Sequence, residues 1–336
     1  MSRRHVQKGI VLAMLAGLVL AGFLISREGF REVLHTSVRI GWGLAAVVLV
    51  HILQFALCGL AWRSLVRGRG PASPTVFICG RWIREAVNSL LPLIQVGGEV
   101  VGARFLALRG AEVPVAAGSV VVDLTLEVVS QCLFITLGLC AMILIGHQGR
   151  AVHWVLLGLA VAIPMVAGFM VAQKRGMLLT LEGFVARLQD RWPALGNGEL
   201  SGLHDAVADI YTDAGALLRG CVFHLMAWVL GAAEVWLILY FLGISRSLAV
   251  ALIIESLGQG IRSAAFIIPG GFGAQEGGYL LLAGLFGLPP DVGLAISLIK
   301  RAREVLLGIP GLFFWQAAEG RRIWERWRLE GSEEGG

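Results

Sequence analysis

The chain has 336 residues, 57% of them hydrophobic and 15% charged, with 28 Lys and Arg against 23 Asp and Glu. A soluble domain carries roughly 25% charged residues, so this composition and a mean hydropathy of +0.77 exclude an ordinary water-soluble enzyme and point to a membrane protein. The net charge of +5 gathers at the ends of apolar segments, where it orients a membrane protein or touches anionic head groups, and it does not suggest a nucleic-acid partner.

Six apolar segments are long enough to cross a hydrocarbon layer of about 30 Å. In chain order they are Gly9–Ile25, Gly41–Trp62, Ala111–Ile145, Val152–Ala172, Cys221–Gly243 and Asp291–Gln316. Backbone groups in that layer cannot bond to water, so runs of this length form helices. The basic start Met1–Lys8 before the first run resembles a signal peptide. The run is long for one, and no small-x-small cleavage site follows, so it reads as an uncleaved first helix. The third segment is long enough to tilt or to project beyond the bilayer. Basic residues set the orientation. Arg3, Arg4 and Lys8 precede the first crossing, Arg63, Arg67 and Arg69 follow the second, Lys174 and Arg175 follow the fourth, and Arg321, Arg322, Arg326 and Arg328 follow the sixth. All four sets fall on one side, which predicts cytoplasmic N- and C-termini in a bacterial inner membrane. The loop Ser26–Ile40, with Arg27, Arg31 and Arg39, dissents.

Between the second and third crossings, Thr75–Gly110 is apolar but broken at Pro92, Gly97 and Gly98. Between the fifth and sixth, Ser247–Gly287 is broken at Pro269, Gly270, Gly271 and Gly273. Proline removes an amide donor and glycine loosens the helix, so each stretch reads as two half-length helices meeting at a turn, a re-entrant hairpin. Three crossings separate the hairpins, so the first faces the cytoplasm and the second faces outward. The polar stretch Gln173–Gly220 carries apolar stripes at helical spacing, Leu181 to Trp192 and Leu200 to Leu217, and reads as two interfacial helices on the cytoplasmic face. The five cysteines, Cys58, Cys79, Cys132, Cys140 and Cys221, are scattered, without metal spacing, and read as reduced thiols in apolar surroundings.

A repeat organises these segments. Pro92, Glu99, Gly110 and Glu127 recur as Pro269, Glu276, Gly287 and Glu304 at one constant offset along the chain, and Leu108/Leu285 and Val115/Val292 match at the same offset. Pro and Glu are scarce in so apolar a chain, so the match exceeds composition bias. With the parity above, the two copies are inverted about an axis in the membrane plane, an arrangement that secondary transporters use to place a site near the midplane. The predicted fold is an all-α polytopic membrane protein of about six transmembrane helices plus two re-entrant helical hairpins. One transmembrane domain spans residues 1–320, with repeat one about 75–145, the cytoplasmic segment 173–220 and repeat two about 247–316; residues 321–336 form a cytoplasmic tail.

Charges inside apolar helices mark the candidate site, because each costs about 3 kcal/mol at a helix centre on insertion scales. Lys300, Arg301, Arg303 and Glu304 crowd the sixth crossing, and Asp123 and Glu127 share one face of the third. The repeat sets Asp123 and Glu127 where Lys300 and Glu304 stand, so the acidic pair is expected to meet the basic cluster at the pseudo-twofold axis; a purely structural ion-pair network is the alternative. Glu99 and Glu276, just past the breaks, could cap the second half-helix or bind substrate or a proton. Arg81 and Arg84 could hold a phosphate head group or anchor the interface. Glu234 and Glu255 are lone acids in apolar runs without an assigned role.

There is no G-x-x-x-x-G-K-[ST], no dinucleotide fingerprint, no H-E-x-x-H and no serine nucleophile elbow, so no cofactor or metal is expected. The run Ile268–Tyr279, Gly287-Leu-Pro289 and the Lys300–Glu304 cluster resemble the second signature of the lysylphosphatidylglycerol synthase transmembrane (flippase-like) family, and Asn88–Pro92 with Gly97-Gly-Glu99 and Arg104 resembles the first. The Gln275–Tyr279 form looks closest to the hopanoid-biosynthesis-associated membrane proteins. The resemblance implies a lipid-translocating domain with two re-entrant hairpins, and in this branch movement of a hopanoid or related polar lipid. In fused members an aminoacyl transferase follows this domain. Here the chain ends some twenty residues after the last crossing, so that activity is not implied. The expected function is lipid transport between leaflets or toward the outer membrane, not enzymatic, with membrane lipids as partners and lipid-biosynthesis enzymes as possible ones. The alternatives are a membrane-embedded enzyme acting on lipid head groups and a non-catalytic partner of such enzymes.

Overall fold

The computed structural model describes residues 40–66, 68–91, 97–146, 150–175, 177, 179, 202–264 and 273–333. The predicted crossing Gly9–Ile25, the turn residues Pro92, Pro269, Gly270 and Gly271, and residues 180–201 of the polar stretch, with the first predicted interfacial helix, lie outside them. The described residues form ten α-helices and no strand. In chain order these are α1 (Gly43–Val66), α2 (Pro74–Leu90), α3 (Gly97–Ala107), α4 (Val113–Leu144), α5 (Arg150–Lys174), α6 (Leu203–Ile210), α7 (Ala214–Phe241), α8 (Leu248–Ala264), α9 (Ala274–Leu285) and α10 (Pro290–Glu333). Four of them, α1, α4, residues Val155–Lys174 of α5, and α7, are long and apolar enough to cross a membrane. The predicted sixth crossing is the first part of α10, whose charge cluster interrupts its apolar run.

The chain breaks where its local chemistry demands. Pro74, Pro114 and Pro290 open α2, α4 and α10 in the first turn, where an amide has no helical acceptor to lose. Asp213 caps α7 by accepting a hydrogen bond from the Ala216 amide at 2.9 Å. That cap overturns the expectation of one interfacial helix running from Leu200 to Leu217. The stripe is split between the short α6 and the first turn of α7, and Leu203, Val207 and Ile210 of α6 are buried against Val122 and Leu126 of α4 instead of facing lipid.

The repeat is visible in the elements. Helices α2 and α8 are both 17 residues long, and α3 and α9 are 11 and 12. Helix α9 follows α3, and α10 follows α4, by the same offset that separates Pro92 from Pro269. At ~1.5 Å per residue the hairpin arms measure about 17–25 Å, short of a full crossing. Each second arm ends in the same turn: Gly110 and Gly287 take φ of +102° and +64°. Beyond them the Ala111 amide donates to the Leu106 carbonyl and the Leu288 amide to the Ala283 carbonyl. That five-residue return bond with a left-handed residue inside it needs glycine.

Each unit thus consists of a helical hairpin followed by a long helix: α2–α3–α4 and α8–α9–α10. They pack reciprocally, with α2 of the first on α10 of the second, and α8 of the second on α4 of the first. Two like faces meeting twice is what a twofold relation between the units produces. Helices α1 and α7, outside both units, pack along each other and close the side of this assembly. Helix α5 is peripheral, with Leu156, Leu157, Val161, Ile163, Met165 and Phe169 exposed, an apolar surface suited to lipid.

Candidate functional site

A cavity of about 440 Å³ lies where the units meet α1 and α7, lined from α1, α2, α3, α4, α7, α8 and α10. Its walls are charged although its surroundings are apolar, and the charges are arranged in pairs. From unit one, Asp123 of α4 is fully buried; its Oδ2 accepts from Arg84 Nη1 at 2.6 Å, and its Oδ1 lies 2.9 Å from His224 Nε2 of α7. Arg84 also ion-pairs with Glu99 of α3, and its guanidinium carbon stands 5.1 Å from the centre of the Trp62 ring. One turn along α4, Glu127 receives both terminal nitrogens of Arg81, at 2.7 and 2.6 Å. This two-pronged geometry is the strong form of the pair. Asn88 ties the hairpin across its break: its side-chain amide donates to Glu99 at 3.2 Å, and its oxygen accepts from the Gly98 amide at 2.8 Å.

Around unit two, Lys300 of α10 donates to Glu255 of α8 at 2.9 Å, and the Tyr279 hydroxyl donates to the other oxygen of Glu255 at 2.9 Å. Arg303 donates to both oxygens of Glu234 of α7, at 2.6 and 2.7 Å. Gln54 of α1 donates to the same carboxylate at 3.2 Å, and His51 Nδ1 lies 3.6 Å from it. Arg262 of α8 donates to Glu304 at 2.9 Å. Arg301 donates to Glu276 at 2.8 Å, and the same carboxylate accepts from the Gly273 amide at 2.7 Å. Glu276 therefore caps α9, one of the two roles expected for it, and anchors Arg301 as well. For Glu99 the described contacts are with side chains.

The repeated positions play related roles. Glu127 and Glu304 each take an arginine from the first helix of their own hairpin, Arg81 or Arg262. Asp123 and Lys300, opposite in sign at the same position, each meet a polar side chain of α7: His224 at 2.9 Å and Glu234 at 3.6 Å. The expectation that Asp123 and Glu127 pair directly with Lys300, Arg301 and Arg303 is therefore corrected. The hairpin helices and α7 supply each long helix with its partners, so each set finds its counter-charges locally. Arg81 and Arg84 are likewise not surface anchors; Arg84 is 1% exposed. The breaks at Gly97, Gly98 and Gly273 sit at the starts of α3 and α9.

Several residues of the site carried no sequence signal strong enough to single them out. His51, Gln54 and His224 are single polar residues in long apolar runs, and Glu234 and Glu255 had no visible partner. Their partners lie far away in sequence, 180 positions for Gln54 and Glu234. Among the described residues no group of His, Cys, Asp and Glu is assembled that could hold a metal ion; the cavity carboxylates face cations and amides.

The family described as the lysylphosphatidylglycerol synthase TM region matches residues 9–311. The chain belongs to that family. Comparison with curated proteins and with solved structures gave no match. Membership and the four apolar helices make this a membrane protein related to lipid modification or transport. The matched span takes in all of unit one, unit two as far as residue 311 within α10, and every residue of the ion-pair network named above.

Proposed function

We propose that the protein moves a polar lipid across a bacterial inner membrane, the head group passing through the charged cavity while the tails stay in the bilayer. The observation that carries this reading is the cavity itself: charged side chains line it, it sits in an apolar helical body, and both units contribute to its wall together with α1 and α7. A volume of about 440 Å³ falls within the roughly 300–1,000 Å³ of small-molecule sites. It suits a head group and is far too small for a whole two-tailed lipid. The half-length hairpins and reciprocal packing support an inverted repeat with re-entrant hairpins, in which the site alternates access between the two sides. In this reading six crossings put both termini on one side, and the basic residues of the sequence make that side the cytoplasm. Arg81, Arg84, Lys300 and Arg303 line the cavity and are the groups for an anionic head-group moiety; Glu99 and Glu127 line it and serve cationic groups or coupling protons, while Asp123, Glu276, Arg301 and Glu304 belong to the ion-pair network outside the lining. The resemblance of Gln275–Tyr279 to the hopanoid-associated branch favours a hopanoid or related polar lipid.

The test is a reconstituted transbilayer assay with full-length protein and a panel of head-group-labelled lipids, hopanoid-derived lipids included. Movement of at least one polar lipid above the rate of protein-free vesicles is expected. No movement of any of them overturns the transport reading, and chemical conversion of a head group by the pure protein selects an enzyme in its place.

A further inference from the structure

Glu99 and Glu276 hold the same place, the third residue of α3 and of α9, but their surroundings differ in charge. Around unit two four buried or half-buried carboxylates face four cations, each with a different one at its shortest contact: Glu234 with Arg303, Glu255 with Lys300, Glu276 with Arg301 and Glu304 with Arg262. In unit one Glu127 has Arg81, but Arg84 is divided between Asp123 and Glu99. The two units differ at the repeated positions: a lysine (Lys300) in unit two stands where unit one has an acid (Asp123), and Arg301 and Arg303 stand where it has Leu124 and Leu126. His224 Nε2 lies 2.9 Å from the other oxygen of Asp123, and Glu99 shares Arg84 with that aspartate. Glu85 also lacks a cation of its own, but its side chain is 30% exposed, where water screens it. The Glu99 side chain is 11% exposed and lines the cavity.

We propose that Glu99 is the proton-binding group of the cavity. A buried carboxylate that must share its cation is relieved by neutralisation. When Glu99 takes up a proton, Arg84 belongs wholly to Asp123; when it releases the proton, Arg84 bridges α3 to α4 again. The groups facing it are Arg81, Arg84, Glu85 and Asn88 from α2, Asp123 and Glu127 from α4, and His224 from α7 across the cavity. Arg104, on α3 itself, pairs away from the cavity with Glu319 of α10. The approach of α3 to Arg84 is built in: a Cβ at Gly102 would stand 2.5 Å from Arg84 Cγ, and one at Gly98 would collide with the Arg84 carbonyl oxygen. The role of this proton in driving transport rests on the function proposed above; its binding does not.

Difference infrared spectroscopy of the full-length protein between neutral and acidic pH reads the proton directly. The expected result is a protonated-carboxyl carbonyl band on acidification that is lost in Glu99→Gln and kept in Glu276→Gln. Asp123→Asn, which leaves Arg84 wholly to Glu99, is expected to remove or shift the same band to more acidic conditions. A band unchanged in both Glu99→Gln and Asp123→Asn overturns the proposal. In vesicles, lipid movement is expected to differ several-fold between the two orientations of a pH gradient and to lose that dependence in Glu99→Gln. If the band behaves as stated and no lipid moves, the transport reading fails and the proton site stands. If lipid moves with no such band, the proton site fails and transport stands.

Discussion

At the scale of single residues, the site is a set of buried charges that are stable only together. Glu234 is the clearest case: it is 0% exposed and holds Arg303 by two bonds of 2.6 and 2.7 Å. Glu234→Gln leaves Arg303 and Lys300 with one anion too few, and removing one partner of a buried ion pair costs about 3–5 kcal/mol. Thermal unfolding of the purified variant in detergent should show a clear drop, while Arg69→Gln, whose partner Asp209 is 47% exposed, should stay close to the parent, within ~1 kcal/mol. The cations Lys300, Arg301 and Arg303 were legible in the sequence because charge inside an apolar run is rare. Their partners Glu234 and Glu255 were not, because a lone acid in a helix says nothing of the helix it will face.

At the scale of elements, glycine decides how closely helices approach. Gly293 of α10 lies against the backbone of α9: a Cβ there would stand 2.6 Å from the Tyr279 carbonyl oxygen and 2.8 Å from Leu280 Cα. Backbone cannot move aside like a side chain, so Gly293→Ala is expected to destabilise by roughly 1–3 kcal/mol. Gly168 of α5 has nothing within 4 Å of such a Cβ, and there alanine is expected to be neutral or to stabilise by up to ~1 kcal/mol through helix propensity. Parallel unfolding curves of the two variants check both. Most helix limits were legible because proline, glycine and caps interrupt the backbone locally. The break between α6 and α7 was missed although its signal was present: Asp213 stands directly before an apolar run, a helix-start pattern.

For the whole molecule, the reciprocal contacts α2–α10 and α4–α8 are those that a twofold relation between the units would produce. If that axis lies in the membrane plane, the two hairpin turns open to opposite compartments. Single cysteines placed at Leu91 and at Gly273, in a background without the native cysteines, should then react with a membrane-impermeant thiol reagent from opposite sides. Cysteines replacing Arg69 and Lys174 should both label from the cytoplasmic side. Labelling of both hairpin turns from one side removes the inverted arrangement and with it the alternating-access reading.

Composition was enough to establish a helical membrane protein, and the constant offset between matching Pro, Glu and Gly positions was enough to reveal two copies of one unit, since both are properties of a chain read in order. The spacing also located the hairpin breaks and the exceptional charges, because the cost of burying charge and of interrupting a helix is felt locally. Which charge meets which was settled by packing: Lys300 turns to Glu255, Arg303 to Glu234, and Asp123 to Arg84 and His224. Coulomb attraction acts through space, over a few ångströms between helices that are distant along the chain. A sequence can therefore show that a buried charge needs a partner, and the folded helices choose it.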